Sequence, residues 1–599
     1  MRAETIAEKS VSDVVVERLT VWGVERVFGY SGDGINGVVE ALNRAGNKPA
    51  FIQARHEENA AFMAVGHAKF TGQVGVVMST QGPGAIHLLN GLYDAKLDAV
   101  PVVAIIGQQA RSVLGAGYMQ EVNLSTLFGD VASRFTQLVS SPEQIPFVID
   151  KAFRTALATR SPVVVIIPHD VQNASAEPPA HEHGRINTNP GFWAANVLPH
   201  EEDLRAAAKL LSAGQKVAFL VGQGAKEAWP AVQALAEKLG AGVTTSLLGK
   251  PYVDETLPYS AGTMGHLGTT ASAFVLGNCD TLFIIGSNDP WTEFYPAPGQ
   301  ATAVQLDIDA KFIGNRYPIE VGLVGDARTT LEALLPLLEP SSNPAWVADV
   351  HDAVQRWRDI SAQRAEVEAN PINPELVLRE LSAQLPTNAQ IALDVGSVVY
   401  WYARQLILPP GVPVHVSGTL ASMGCSLPYG IAGKLAYPDR PMVVLSGDGG
   451  FQMTGVAELI TISRLWRDWS DPRFVICVLN NKDLAEVSWE QREMENSPRF
   501  PASQDLPDFP AADYAALLGL AGEKVEDPAD LGEAWSRAFA ADRPYVLEVL
   551  TDPDVPLLPP FPAGEATLEP MSAALQAEAE QGVDALRLLK IYAAQERLE

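Results

Sequence analysis

A recurring unit constrains the fold of this chain most: a short, wholly apolar run that stops on glycine, an acid or an amide. Met442-Val443-Val444-Leu445 lies between Pro441 and Gly447-Asp448-Gly449, and Phe474–Leu479 ends on Asn480-Asn481. Ile391–Leu393 ends on Asp394-Val395-Gly396-Ser397, Val217–Val221 runs into Gly222-Gln223-Gly224, and Val304–Leu306 runs into Asp307. Runs this short, with no polar alternation, read as strands covered on both faces, the condition of a parallel sheet. Helical patterns such as Val11–Leu19 stand between them. The alternation predicts an α/β protein built of doubly wound parallel sheets, whose strand ends open on a common crevice where ligands bind.

At 599 residues the chain is too long for one core, because single cores stop growing near about 250–300 residues. Three domains are expected, at 1–173, 201–340 and 374–556, with linkers at 174–200 and 341–373 and a tail at 557–599. The tail is expected to turn helical from about Ser572, most clearly after Gly582. Composition works by exclusion. A net charge of −28 excludes a nucleic-acid surface, which must be basic. No window reaches 18 apolar residues, so no membrane span is expected. Cys279, Cys425 and Cys477 are too far apart for a zinc cluster and read as buried free thiols. With an acidic residue in Met1-Arg2-Ala3-Glu4-Thr5 in place of a signal peptide, they point to a reducing cytoplasm.

Gly447-Asp448-Gly449 and Asn481 end two such strands. One carboxylate, one amide and nearby carbonyls make an all-oxygen set suited to Mg²⁺, which shares its shell with ligand phosphates. The glycines admit phosphate to the backbone, and a helix starting near Gly450 would offer its N-terminus. A lone Gly-Asp-Gly is as compatible with a turn. Gly32-Asp33-Gly34 has no Asn-Asn after it and reads as one, although Gly32, like Gly82, stays among the cofactor-contact candidates.

Gly447 to Asn481 resembles the diphosphate-and-metal motif of thiamine diphosphate (ThDP) enzymes, and the three-domain order resembles their pyrimidine, central and diphosphate domains. The resemblance covers about Ser10 to Pro556 and implies Asp448, Asn481 and the Asp483 carbonyl as Mg²⁺ ligands. The 33-residue separation of Asp448 and Asn481 exceeds the family's usual value; the excess, Arg464–Pro472, reads as a surface loop. Arg55-His56-Glu57-Glu58 could be an ordinary acidic helix start. By resemblance Glu57 is the glutamate that hydrogen-bonds the aminopyrimidine N1′ and lets the 4′-imine deprotonate the thiazolium C2. Gly418–Gly424 resembles the pivot loop, with Thr419, the Ala421 carbonyl and the Met423 side chain toward the cofactor; a lone Met is otherwise core filler. Asp394, Gly396 and Ser397 resemble a diphosphate turn, with Gly447, Gly449 and Gly450 on the other side. The family pairs the two ThDP domains across a two-fold axis, so a homodimer or homotetramer is implied.

Gln81–Ala95 and Gly117-Tyr118-Met119-Gln120-Glu121 are similar to pyruvate oxidases; acetolactate synthases have a similar Phe-Gln-Glu. Gly262–Gly268 resembles a flavin loop of both groups, with Thr263, Met264 and Gly265 as contacts. Gly222, Gly224, Asp307 and Asp326 are compatible with a dinucleotide, so FAD is implied. His87 and Gln120 would line the substrate side, or be satisfied structural groups. The implied function is decarboxylation of a 2-oxo acid, pyruvate first, with the electrons passing to FAD as in pyruvate oxidase or pyruvate dehydrogenase (quinone). The alternative is an acetolactate-synthase-type carboligase, and a minor one a non-catalytic binding protein. The sequence departs from the oxidase pattern at Met119 and at Trp489-Glu490, which leans toward the carboligases, and from both groups at Thr292, where an Arg usually meets FAD. The tail's acids (Glu578, Glu580, Asp584, Glu596, Glu599) outnumber its bases, so it reads as packed on the body or lidding the site, without membrane association.

Overall fold

The computed structural model describes residues 9–176, 183, 185–340 and 343–597. The expectations on Met1–Thr5, Ser341 and Glu599, and part of the 174–200 linker, lie outside these. The described strands form three six-stranded sheets. The first holds β1 (Arg26–Gly29), β2 (Ala50–Gln53), β3 (Gly75–Ser79), β4 (Val102–Gln108), β5 (Thr136–Leu138) and β6 (Pro162–Pro168), in the order β2-β1-β3-β4-β6-β5. The second holds β7 (Val217–Val221), β8 (Gly242–Thr245), β9 (Ser260–Thr263), β10 (Thr281–Ile285), β11 (Thr302–Asp307) and β12 (Val321–Val324), ordered β12-β11-β10-β7-β8-β9. The third holds β13 (Gln390–Leu393), β14 (Val414–His415), β15 (Met442–Gly447), β16 (Phe474–Asn480), β17 (Ala521–Val525) and β18 (Tyr545–Leu550), ordered β14-β13-β15-β16-β18-β17.

The sheets are parallel, as the apolar runs predict. β4, β6 and β16 are buried at every residue, because helices cover both faces of a doubly wound sheet. Successive residues serve opposite cores: Phe219 and Val221 enter one cluster, Ala218 and Leu220 the other. The first and third sheets have one strand order, second-first-third-fourth-sixth-fifth. Each therefore reverses its winding between its first and third strands, and this switch point is where a doubly wound sheet binds ligands.

The chain divides into two compact units, Met1–Ala194 with His415–Val444 and Gly450–Phe474, and Ala195–Val414 with Leu445–Gly449 and Val475–Glu599. In the first, the Arg464–Pro472 insertion is not simply a surface loop. Trp469 is 7% exposed and stacks on Phe474 at 5.3 Å, so the extra residues carry an apolar anchor. In the second, Pro344–Ala365 is one 22-residue helix. It is more than a polar connection: Trp346, Val350, Trp357 and Ile360 belong to the core under the central sheet, and Trp346 Nε1 donates to the Val217 carbonyl at 3.0 Å.

The tail forms two helices, Ala563–Ala577 and Val583–Glu596, the first starting earlier than Ser572. Leu588, Leu589 and Tyr592 are buried. Glu596 meets Arg364 at 2.7 Å and Glu375 meets it at 3.0 Å, with all three side chains at most 1% exposed. Replacing Arg364 by Met strands two buried carboxylates. We expect a loss of about 3–5 kcal/mol, read as a fall in thermal midpoint; an unchanged midpoint refutes the tail lock. No helix among the described residues is long and apolar enough to cross a membrane.

Candidate active site

The diphosphate half is built on the ends of β13, β15 and β16. Asp448 is 5% exposed; its Oδ1 accepts the Gly449 N–H at 3.0 Å and its Oδ2 the Lys482 N–H at 2.7 Å. Burial pushes this carboxyl up to about 7 against those two donors. The Asn481 Oδ1 accepts from the Asp483 N–H at 3.0 Å. The Asp483 carboxylate accepts at Oδ1 from Ser488 Oγ and from an Arg499 guanidinium N–H, each at 2.9 Å. Asp394, fully buried, accepts from Ser446 Oγ and the Val395 N–H, each at 2.9 Å. It thereby fixes the turn containing Gly396, whose φ is +120°, a conformation that favours glycine. Ser397 follows without a side-chain cap bond. Asp448 itself opens the helical segment, ahead of the Gly450 expected: Asp448–Gly450 leads through a π-turn at Phe451–Gly455 into Val456–Leu465.

A Cβ added at Gly396 or Gly447 would meet nothing within 4 Å. Open space above two backbone turns at a sheet's switch point is room for a phosphate. The donor set around it is wholly oxygen, as Mg²⁺ requires. These residues fit a metal-bound diphosphate.

The second half is built on the first sheet. Glu57 opens the Glu57–Thr71 helix, capped by His56, whose Nδ1 accepts the Glu58 N–H at 3.2 Å. The two acids part there. Glu57 Oε2 lies 3.0 Å from His87 Nδ1 with its side chain 12% exposed, whereas Glu58 accepts from Asn90 at 2.7 Å. The donor atoms of His56, Glu57 and His87 converge within 4.8 Å. Gln120 takes a left-handed φ of +63°, accepts from Gln81 Nε2 at 3.1 Å and covers Gly82. Gly82 adjoins the turn where Gly84 faces Glu57 Oε1, so His87, Gln120, Gly82 and Glu57 form one patch. Gly32 does not offer an open contact, because Thr80 fills the place of its missing Cβ. In the Gly418–Gly424 loop, Ala421 is left-handed at φ +57° and exposed, and Met423 is half-buried. The Thr419 N–H donates to Asp98 at 2.9 Å.

The central-domain candidates are engaged by contacts within the domain. Gly222 and Gly224 pack against the backbone of Gly286, and Gly265 packs against Trp291; their missing side chains make room for protein. Thr263 and Met264 are buried, Asp307 accepts the Asp309 N–H at 2.9 Å, and Asp326 caps the Ala327–Leu334 helix. Thr292 brings no cation.

Motif reading missed Lys69, Asp98, Asn90 and Glu458. Glu458, buried, accepts from the Arg55 N–H and from Asn59 Nδ2, each at 2.8 Å, and so fixes the start of the Glu57 helix. The available signal was a polar residue in an otherwise apolar helical run.

Family models match along the chain: thiamine pyrophosphate enzyme, N-terminal TPP binding domain over residues 9–127, central domain over 204–334, and C-terminal TPP binding domain over 394–549. Thiamine pyrophosphate is ThDP under another name. The chain is 34% identical over 564 residues to the thiamine pyrophosphate-containing protein YdaP of Bacillus subtilis, covering 94% of this chain and 95% of that one. It is 33% identical over 575 residues to the acetolactate synthase isozyme 2 large subunit of Escherichia coli, covering 93% and 99%. It is 30% identical over 551 residues to the pyruvate oxidase of Lactiplantibacillus plantarum, covering 91% and 89%. Matches along nearly the whole length lead to one conclusion: the chain belongs to the thiamine pyrophosphate enzyme family.

Proposed function

We propose that the chain decarboxylates a 2-oxo acid, pyruvate first, with ThDP and Mg²⁺. The observation that carries this is the closure of Asp448 onto the Lys482 backbone beneath open space at Gly447 and Gly396. Asp448, Asn481 and the Asp483 carbonyl would hold Mg²⁺ and, through it, the diphosphate; Gly449, Gly450 and Ser397 border that place. The Gly418–Gly424 loop would support the rings through the Ala421 carbonyl and the Met423 side chain. When bound, ThDP supplies a carbon nucleophile that takes up the electrons released as CO₂ leaves. Glu57 would hold the proton that this nucleophile's formation requires, and His87 and Gln120 would orient the substrate. Because the family pairs such halves across a two-fold axis, we propose a homodimer at least, Glu57 of one subunit serving the cofactor of the other.

Oxidation with FAD as acceptor is the first fate we propose for the decarboxylated fragment, supported by the pyruvate oxidase relative. Joining to a second 2-oxo acid is the second reading. It is favoured by the packed central-domain glycines, by Thr292 and by the acetolactate synthase relative. Visible absorbance separates them. On the first reading, purified protein carries a flavin that bleaches when pyruvate is added without oxygen in the presence of ThDP and Mg²⁺. An unbleached flavin, or none, together with acetolactate in the mixture, moves the chain to the carboligases.

A further inference from the structure

The Glu57–Thr71 helix carries chemistry at both ends. Glu57 opens it, and Lys69 lies in its last turn, about 18 Å farther along the axis at 1.5 Å per residue. Lys69 is buried, 7% exposed at its side chain. An ammonium has three N–H donors, and each is used: on Asp98 Oδ2 at 2.6 Å, the Val416 carbonyl at 2.7 Å and the Tyr429 hydroxyl at 2.9 Å. Asp98, 1% exposed, also accepts the Gly418 N–H at 3.1 Å and the Thr419 N–H at 2.9 Å. Burial alone would discharge Lys69; the Asp94 and Asp98 carboxylates override it and hold the ammonium charged.

The far end of the same loop is tied separately. Asn90 Nδ2 donates to Ser422 Oγ at 2.8 Å and to Glu58 Oε1, beside Glu57, at 2.7 Å. The Ser422 N–H donates to Ser417 Oγ at 3.1 Å. Between the ties stands Ala421, a non-glycine residue held left-handed, a conformation that persists only where its surroundings over-determine it. Stability is a poor reason for such a network, since a buried ion pair rarely betters apolar packing. Its distinctive effect is geometric: the Gly418 and Thr419 amides and the Ser422 side chain are fixed to Asp98 and Asn90, at the two ends of the Leu89–Leu97 helix, and those two residues bond Lys69 and Glu58 of the Glu57–Thr71 helix.

We propose that Lys69, Asp98 and Asn90 are positioning residues that fix the Gly418–Gly424 loop to the helix carrying Glu57, so that the Ala421 carbonyl and Met423 keep one orientation toward ThDP. This rests on the reading of that loop and of Glu57 given under Proposed function. The residues touch neither cofactor nor substrate; they act through the loop.

Two measurements on the full-length protein test it, with Asp98→Asn and Asn90→Ala. In the cofactor-free protein, amide hydrogen exchange over 416–424 should speed up about tenfold or more, while exchange elsewhere stays unchanged, since local opening is a local free energy. In the ThDP-loaded protein, exchange of the thiazolium C2 proton should slow by about 10- to 100-fold with ThDP affinity nearly unchanged, the scale expected when a reacting geometry shifts by about 1 Å. C2 exchange needs no substrate, so the identity of the 2-oxo acid does not enter. Should Asp98→Asn fail to fold, Asn90→Ala decides alone. Both rates within threefold of wild type overturn the proposal. A loosened loop with unchanged C2 exchange also overturns it, as a structural tie only. If Glu57→Gln leaves C2 exchange at the wild-type rate, the reading of Glu57 fails instead, and loop exchange in the cofactor-free protein then decides the tether.

Discussion

Asp448→Ala should weaken ThDP and Mg²⁺ binding together, by at least about 100-fold, since outer-shell changes alone cost metal sites about 10- to 100-fold and this change would remove a proposed direct ligand. The two losses should be inseparable, because the diphosphate is read as held through the metal. Calorimetric titration of ThDP at fixed Mg²⁺ measures the effect. ThDP affinity within threefold of wild type would refute the metal assignment. Asp448 makes bonds to two backbone amides and none to a distant core group, so the thermal midpoint of the cofactor-free variant should move little. The carboxyl also sets a pH dependence. Burial raises it to about 7 in the metal-free protein, above its value in an unfolded chain. Below about pH 7 the group is protonated, and the metal must displace that proton. Apparent Mg²⁺ affinity should therefore fall as pH drops from 8 to 6, approaching tenfold per unit on the acid side. The stabilisation that Mg²⁺ with ThDP confers should fall in parallel. An affinity flat across that range would mean that Asp448 is already ionised without metal.

Strands such as Val217–Val221 and Phe474–Asn480 were legible because each is carried by an apolar run bounded by turn residues, whereas Thr136–Leu138 and Ala521–Val525 carry polar residues and gave no such run. Val217–Val221 matches its prediction residue for residue. The shared strand order of the first and third sheets was not legible, because crossovers set it and leave no similarity to read along the chain. Motif residues such as Asp448 and Asn481 stand out in the sequence, since an acid and an amide close two apolar strand runs. Lys69 and Asp98 do not: Lys69 reaches Val416 across 347 positions, and Asp98 reaches Gly418 across 320. The central-domain glycines are ambiguous in a different way. Glycine admits a ligand to the backbone or admits another backbone, and the residue type cannot say which; Gly222 and Gly224 against Gly286 are the second kind.

Glu57→Gln should lower turnover by about 10²- to 10⁴-fold, the span of a lost general acid–base contribution, while ThDP affinity stays within about tenfold because the diphosphate contacts lie on other residues. The amide keeps the size of the carboxylate and can still accept from His87, 3.0 Å away in the native protein, so the helix start should survive. What is lost is the ability to hold and return a proton. Glu58→Gln is the matched control. Its carboxylate meets Asn90 at 2.7 Å, and the amide oxygen can accept the same bond, so turnover should stay within about threefold, as for an exchange that preserves a neutral hydrogen bond. The pair separates an acid at a helix start, where either residue would serve the dipole alike, from a proton carrier at a defined place. A fully active Glu57→Gln protein would remove the catalytic assignment. Equal losses in both variants would assign the effect to the shared helix N-terminus, and the proton would then have to be sought at His87 or His56, the other groups that converge on that point.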